Sequence, residues 1–113
     1  MGTRKTHLFP SAQNEIAAIS RAFGHPARLE IINLLLENKT ISYVHILDAI
    51  PLASATIWQH IDEMKAAELL YCFEKDKLLH FQLNELTLTK LRQFHLFIAH
   101  KLILQQNIPI VLQ

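Results

Sequence analysis

The chain has 113 residues, half of them hydrophobic, which is enough for one domain with one core but not for two. No apolar stretch reaches the roughly 20 residues of a membrane-spanning helix, and the N-terminus lacks the apolar centre of a secretory signal. The one cysteine, Cys72, excludes an internal disulfide. The formal net charge is only +1, which permits DNA binding without indicating it. We therefore expect a single cytoplasmic domain.

The first residues, 1–10, are expected to form a flexible arm. Ser11 is a good N-cap for a first helix that ends near Phe23, and Gly24 is expected to end it by tolerating left-handed backbone angles.

The second helix is predicted to begin at Pro26, because a proline suits the first turn of a helix. It runs to about Glu37, and the apolar spacing predicts a core stripe of Leu29, Ile32 and Leu35.

A helix-turn-helix unit is predicted next. Residues 40–41 suggest a very short strand, and Ser42 caps a third helix that ends near Ala49. Pro51 prevents simple continuation, and a fourth helix follows over residues 53–67. Two short helices joined by a tight turn and braced by an earlier helix can hold the second helix in a DNA major groove.

The fourth helix has two dissimilar sides. Ile57, Ile61 and Met64 are expected to face the core. The opposite surface presents Ser54, Ala55, Trp58, Gln59 and Asp62.

From Leu69 the hydrophobic period changes to two, and a polar segment at residues 75–77 separates two such runs. This pattern predicts a hairpin, and a hairpin directly after the fourth helix is a wing.

A last helix is predicted over residues 86–106. Its apolar surface is too broad for a helix on so small a body, so we expect it to be buried against a second subunit. The dimerisation helices would be residues 11–23 and 86–106, and the apolar tail at 107–113 would dock across the dimer.

Two segments carry a family resemblance: AFGHPARLEIINLL at 22–35 and ATIWQHIDEMKAAELL at 55–70. Together they resemble the ArsR/SmtB family of winged helix-turn-helix repressors, over residues 14–104. The resemblance implies a mainly α fold with a small β-hairpin wing, in the order α-α-α-α-β-β-α. It also implies a dimer joined through the terminal helices and a role as a DNA-binding transcriptional regulator.

The chain departs from the family pattern at several positions. Ala53 replaces the serine usual at the start of the fourth helix, so a capping side chain is lost, although Ser54 could substitute. Glu68 stands where the family has glycine in an Ala-Gly-Leu sequence. The wing is weakly basic, with Lys75 and Lys77 beside acidic neighbours, which argues against strong phosphate contact there.

The candidate DNA-binding residues lie on the fourth helix and the wing. Glutamine can pair with adenine through two hydrogen bonds, hydroxyls can contact bases or phosphates, and lysines neutralise phosphates. The set is Ser54, Thr56, Trp58, Gln59, His60, Lys65, Lys75 and Lys77.

Three of the residues singled out have a structural alternative. Trp58 could contact sugars or thymine methyls, or fill a gap against the wing. His60 could donate to a phosphate, or be a packing residue hydrogen-bonded inside the fold. Arg28, which matches the arginine after the family proline, is expected to form a structural salt bridge with Glu30 or Glu63 rather than to contact the DNA backbone.

The sequence lacks the ligand spacing of the family's metal sites. The position of the family's Cys-x-Cys motif is occupied here by residues 42–44, which hold no thiolate, so soft ions are excluded there. His95 and His100 lie about 140° apart around a helix and could meet a metal only across the dimer. Cys72 is a redox candidate, but a lone strand cysteine is more often inert. We expect no cofactor.

No phosphate loop, nucleophile elbow or paired carboxylate setting is present, so we do not expect an enzyme. The sequence favours a homodimeric DNA-binding regulator of repressor type that reads a pseudo-palindromic operator. The alternative is a winged-helix protein-interaction module with little or no DNA binding.

Overall fold

The computed structural model describes residues 5–106, and its order of elements confirms the winged helix-turn-helix fold. In chain order these are a short 3-10 helix (Thr6–Leu8), α1 (Ser11–Ala22), α2 (Pro26–Glu37), β1 (Ile41–Ser42), α3 (Tyr43–Ala49), α4 (Ser54–Ala66), β2 (Leu70–Lys75), β3 (Leu78–Leu83) and α5 (Glu85–Gln106). Within the described residues, no helix is long and apolar enough to cross a membrane. The tail expected to dock across a dimer lies outside the described residues.

The described part of the N-terminal arm is tied to α1 instead of being free. The Asn14 side-chain amide donates to the carbonyl oxygen of Thr6 at 2.8 Å and to that of Phe9 at 3.3 Å. The expected Ser11 cap is wrong by one position, because Pro10 occupies the N-cap and has no side-chain hydrogen bond to offer.

Gly24 follows α1 as expected, but the expected reason is wrong, because its φ is not positive. A Cβ at this position would lie 3.2 Å from the carbonyl oxygen of Arg21. The glycine is therefore suited to a close approach of backbone, not to a left-handed turn.

The core stripe of α2 differs from the prediction. Leu29 is 47% exposed, whereas Ile31 is fully buried and Leu35 nearly so. Ala27, Ile31 and Leu35 recur every four residues on one side of the helix, and Ile32 is buried beside them. Leu29 lies two positions away from this stripe and so points elsewhere.

A three-stranded antiparallel sheet, in the order β1-β3-β2, closes the core. β3 lies in the centre: Phe81 pairs with Ile41 of β1 and with Cys72 of β2. Phe81 is fully buried, and it packs in the same cluster as the inner residues of α2, α3 and α4. The short strand β1 covers Ile41–Ser42, one residue later than the expected range of 40–41.

α5 packs on α1 by its first half and leaves the apolar side chains around its second half exposed. The Thr87 hydroxyl donates to the Glu68 carbonyl oxygen at 2.7 Å, and Lys90 forms an ion pair with Glu15 of α1. Further along, Phe97 is 56% exposed and Leu104 is 60% exposed. The predicted broad apolar surface of the last helix is therefore present and uncovered in the single chain.

α4 ends in a left-handed residue, Glu68, whose φ is 58°. The Glu68 N–H donates to the Lys65 carbonyl at 2.9 Å and the Leu69 N–H to the Met64 carbonyl at 2.9 Å. These two hydrogen bonds form a Schellman motif, which satisfies carbonyl groups in the last turn of α4. The motif favours glycine at its left-handed position. The glycine of the family pattern thus has a local backbone reason, and glutamate is strained there.

We expect Glu68→Gly to raise the free energy of unfolding by about 1 kcal/mol, because a left-handed residue with a Cβ costs roughly that much. Urea unfolding followed by circular dichroism measures the change. Glu68→Ala is the matched control: it removes the same side chain but keeps the Cβ, so it should not give the gain. Equal stabilisation by both variants would contradict the backbone explanation.

Candidate nucleic-acid interface

The turn between α3 and α4 is held by local hydrogen bonds. The Ser42 hydroxyl accepts from the His45 N–H at 3.1 Å, which confirms Ser42 as the cap of α3. The Tyr43 hydroxyl donates to the carbonyl oxygen of Ser54 at 3.3 Å. Tyr43 therefore links the start of α3 to the first residue of α4 and fixes the angle between the two helices.

The two sides of α4 are divided as the sequence predicts, except at Trp58, which was expected on the outward surface and is half-buried. Ile57, Ile61 and Met64 are almost completely buried. The opposite side is open to solvent and includes Ser54, Ala55, Thr56, Gln59 and Asp62.

The N-terminus of α4 carries no side-chain cap in the described part of the chain. Ala53 is the N-cap residue, and Ser54 is the first helical residue, so it does not replace the missing cap. The first N–H groups of a helix have no partner inside the helix. The backbone N–H groups of Ser54, Ala55 and Thr56 are consequently free to donate outward beside two hydroxyl side chains.

Trp58 is half-buried and turned toward the wing. Its ring lies 5.5 Å from that of Tyr43 in an edge-on arrangement and 6.5 Å from that of Phe81. The Lys65 ammonium lies 5.4 Å from the centre of the indole. These contacts favour the gap-filling role for Trp58. The indole also contacts the Lys65 ammonium near the outward surface.

His60 is only 9% exposed, which favours the packing alternative over direct phosphate contact. Its Nδ1 accepts a hydrogen bond from Arg28 Nε at 3.0 Å. The imidazole therefore faces α2, away from the exposed side of α4.

Arg28 uses all of its guanidinium nitrogens. Besides His60, it donates through Nη1 to the Arg21 carbonyl oxygen at 3.2 Å and forms an ion pair with Glu63 through Nη2. Of the two partners considered from the sequence, Glu63 is the observed one. One side chain of α2 thus connects the end of α1 with two consecutive turns of α4; we call Arg28, His60, Glu63 and the Arg21 carbonyl the Arg28 joint.

The wing ends in a tight two-residue turn at Asp76 and Lys77, whose φ values of 52° and 64° are both positive. Positive φ at both central residues defines the hairpin turn that matches strand twist. Lys75 and Lys77 are exposed, and Leu78 beside them is exposed as well. The wing therefore offers two cations on a partly apolar tip.

Cys72 is half-buried and packs against the core, as the inert reading of this residue expects. His95 and His100 are both exposed on α5. In the range 5–106, no cluster of three or more His, Cys, Asp or Glu side chains is placed to hold a metal ion.

Solved structures with the same architecture are winged helix proteins. An ArsR-like transcriptional regulator from Rhodococcus sp. RHA1 is 16% identical, with a TM-score of 0.75 over 87% of this chain and 92% of that one. A homodimeric winged helix-turn-helix DNA-binding domain of a possible ArsR-family regulator from Mycobacterium bovis is 15% identical, with a TM-score of 0.64 over 98% of both chains. The transcriptional repressor PagR of Bacillus anthracis is 23% identical, with a TM-score of 0.59 over 66% of this chain and 84% of that one.

No protein-family model and no curated protein matches the sequence. The structural likeness at such low identity concerns the fold. The chain has the ArsR-like winged helix-turn-helix fold, and the resemblance stated from the two sequence segments is confirmed at that level.

Sequence reasoning missed two features of this surface. It did not foresee that Arg28 bonds His60 and Glu63 together, although their spacing of three residues on one helix places both on the same side. It also missed the bond from Tyr43 to the start of α4, for which the sequence gives no signal, because it depends on the angle between α3 and α4.

Trp58→Ala is expected to lower the free energy of unfolding by roughly 3 kcal/mol, the range seen when a large packed ring is truncated. Gln59→Ala, at the neighbouring exposed position, should change it by less than about 0.5 kcal/mol. Urea titration followed by far-ultraviolet circular dichroism measures both variants. A Trp58→Ala protein as stable as Gln59→Ala would mean that the indole is not part of the packing.

Proposed function

We propose that the protein is a sequence-specific DNA-binding transcriptional regulator, a repressor, that acts in the cytoplasm on a pseudo-palindromic operator as a homodimer. The observation that carries this proposal is the division of α4, whose apolar side is buried while its polar side projects from the body. An exposed helix presented in this way fits a major groove.

The base-reading role falls to the N-terminal half of α4. Ser54, Thr56 and Gln59 are exposed there, and the free N–H groups of the first turn add donors for phosphate oxygen. Asp62 is exposed near the other end and would repel phosphate. The helix therefore enters the groove with its N-terminus leading.

Lysines supply the contacts that do not depend on sequence. Lys65, Lys75 and Lys77 would neutralise phosphates along the edge of the groove. Trp58 and His60 act indirectly in this proposal, because both face the body: the indole holds Lys65 in place and the imidazole belongs to the Arg28 joint. Because three phosphate contacts give weak binding, a second copy of the chain would raise the affinity.

The exposed apolar side chains of the second half of α5 support a dimer. Solvent exposure of a row of large apolar side chains on one helix is typical of an interaction surface. The structural neighbour from Mycobacterium bovis is described as homodimeric, and a two-fold pair of α4 helices would meet successive major grooves about 34 Å apart.

The protein-interaction alternative is less well supported. Three features favour it from the sequence: the near-neutral charge, the weakly basic wing and Trp58 on the exposed face. The last of these is lost, because the indole packs against Tyr43 and Phe81. The near-neutral charge and the exposed Leu78 still fit a protein partner. If the wing were the binding element, DNA selection would fail while the fold stayed intact.

Selection of bound duplexes from a random pool tests the proposal. We expect the full chain to enrich a pseudo-palindromic sequence, and Gln59→Ala to bind the enriched duplex at least about tenfold more weakly, since a bidentate base contact is worth about 1–3 kcal/mol.

Asn33→Ala, an exposed amide on α2 away from the interface, is the matched control and should bind as the unaltered protein does. We expect a chelator in the buffer to leave binding unchanged, since no metal is part of the proposal. A pool without an enriched sequence would contradict sequence-specific recognition.

Oligomeric state gives a second test. Sedimentation equilibrium should give twice the 13.0 kDa of the chain, and Phe97→Glu should return it to the monomer mass by placing a charge in the apolar interface. Asn33→Glu adds the same charge at an exposed position of α2, outside α5, and is the control. A Phe97→Glu protein that remains dimeric would exclude this side of α5 as the interface.

A further inference from the structure

His60 is held in one tautomer by the Arg28 joint. Because Arg28 Nε is always protonated and donates to His60 Nδ1, this nitrogen must carry the lone pair and Nε2 must carry the proton. A doubly protonated imidazole would direct an N–H at the Arg28 N–H, and the bond would be lost.

His25 adds a second constraint beside the first. Its ring lies 4.3 Å from that of His60 between centroids. Its Nδ1 accepts the Ala27 N–H at 3.0 Å and so caps α2. Two neighbouring imidazoles therefore each use Nδ1 as an acceptor, and a positive charge on either ring would oppose a positive charge on the other.

The charged groups around His60 come from three elements. Arg28 of α2 is positive, and Glu63 of α4 is negative. His25, the residue just before α2, becomes positive when it is protonated. Arg21 of α1 lines the same cavity of about 590 Å³ with these three residues, and this cavity gives solvent a route to the joint. Burial lowers the pKa of His60, the charges of His25 and Arg28 lower it further, and Glu63 opposes them.

We propose that Arg28 is a positioning residue that sets how α4 lies on the body, and that it does so only while His60 is neutral, so that acid weakens DNA binding. The proposal rests on the function proposed above. It assigns to the joint a regulatory property that the exposed residues of α4 do not have.

The physical consequence of protonation follows from where Arg28 is attached. His60 and Glu63 lie on consecutive turns of α4, and the Arg21 carbonyl fixes the other side of the guanidinium to α1. When the bond to His60 is lost, the ion pair with the exposed Glu63 remains, and surface ion pairs hold position weakly. α4 is then free to tilt, and base contacts need close alignment.

The sign of the effect separates this proposal from general electrostatics. Acid protonates the other histidines as well, and added positive charge strengthens attraction to phosphates. A charge effect alone would make binding tighter at lower pH. A joint that opens makes it weaker, despite the added charge.

Stability has the same direction. The pKa of His60 is lower in the folded chain than its usual 6.5, so the unfolded chain takes up the proton first as the pH falls. The contribution of neutral His60 to the free energy of unfolding is complete above pH 6.5. It is lost as the pH falls through the lower pKa that His60 has in the folded chain.

The first experiment needs no DNA. Nitrogen and carbon NMR shifts of the imidazole at pH 7.5 should show His60 as the Nε2–H tautomer. Acrylamide should quench the fluorescence of Trp58, the single tryptophan of the chain, more strongly as the pH falls from 7.5 to one unit below the folded-state pKa of His60, which an NMR titration of the imidazole supplies. An Nδ1–H tautomer, or quenching independent of pH in a folded protein, would overturn the proposal.

The second experiment uses the duplex enriched by selection. We expect its affinity for the unaltered protein to fall about tenfold between pH 7.5 and a pH one unit below the folded-state pKa of His60, which the NMR titration supplies; this loss is equivalent to about 1.4 kcal/mol. His60→Asn places an uncharged oxygen where Nδ1 accepts, so its affinity should not fall. His7→Asn removes an exposed histidine at the N-terminus and should keep the full acid effect.

Arg28→Lys serves if His60→Asn does not fold, because it keeps the charge but lacks the Nε donor. We expect it to bind weakly at pH 7.5, with no further loss at the lower pH used for the unaltered protein. An acid effect that persists in a folded His60→Asn or Arg28→Lys protein would refute the role of the joint. If selection enriches no duplex, the proposed function fails, while the tautomer and quenching results still decide whether the joint exists.

Discussion

Ile57, Ile61 and Met64 fix the orientation of α4, because they fill the centre of the core and cannot leave it cheaply. Each buried side chain of this size contributes about 1.5–3 kcal/mol. A shift of one residue turns a helix by about 100° and would carry all three into water. Burial of these three side chains therefore determines which side of α4 faces solvent. The position of the candidate DNA-binding surface follows from the packing of the core beneath it.

Polar contacts refine what the core fixes coarsely. Tyr43 is hydrogen-bonded to the first residue of α4, and Arg28 is bonded to His60 and Glu63 in the middle of the helix. Apolar packing resists rotation of the helix, whereas directed hydrogen bonds from two sides resist tilt. The same bonds depend on the protonation of His60, which apolar packing does not. A helix held by both kinds of contact can keep its fold and still change its precise alignment.

The sequence predicted most of the fold because periodicity and turn residues act locally. The buried side of α4, the hairpin and the long apolar last helix could all be predicted from residue spacing. The prediction was wrong for Leu29, where an adjacent stripe beginning at Ala27 fits the core better, and for Gly24, whose role is a close backbone approach. The first error concerns which of two neighbouring stripes meets partners distant in sequence. The second concerns a local contact with the Arg21 carbonyl, which residue spacing does not reveal.

The site was predictable in outline only. Exposed residues such as Gln59 could be placed from helical spacing, but Trp58 and His60 turned inward because their partners, Phe81 and Arg28, come from other elements. A residue type suited to DNA contact is equally suited to packing, and only the tertiary structure distinguishes the two. Glu68 is a different case: its departure from the family pattern already marked the left-handed position that the structure contains.

Hydroxyl-radical footprinting of the full chain on its selected duplex tests the central claim most directly. The account predicts two protected patches on one face of the duplex, with their centres about one helical turn, or about 34 Å, apart, since two α4 helices related by a two-fold axis enter successive major grooves. A single patch, or uniform protection along the duplex, would contradict it.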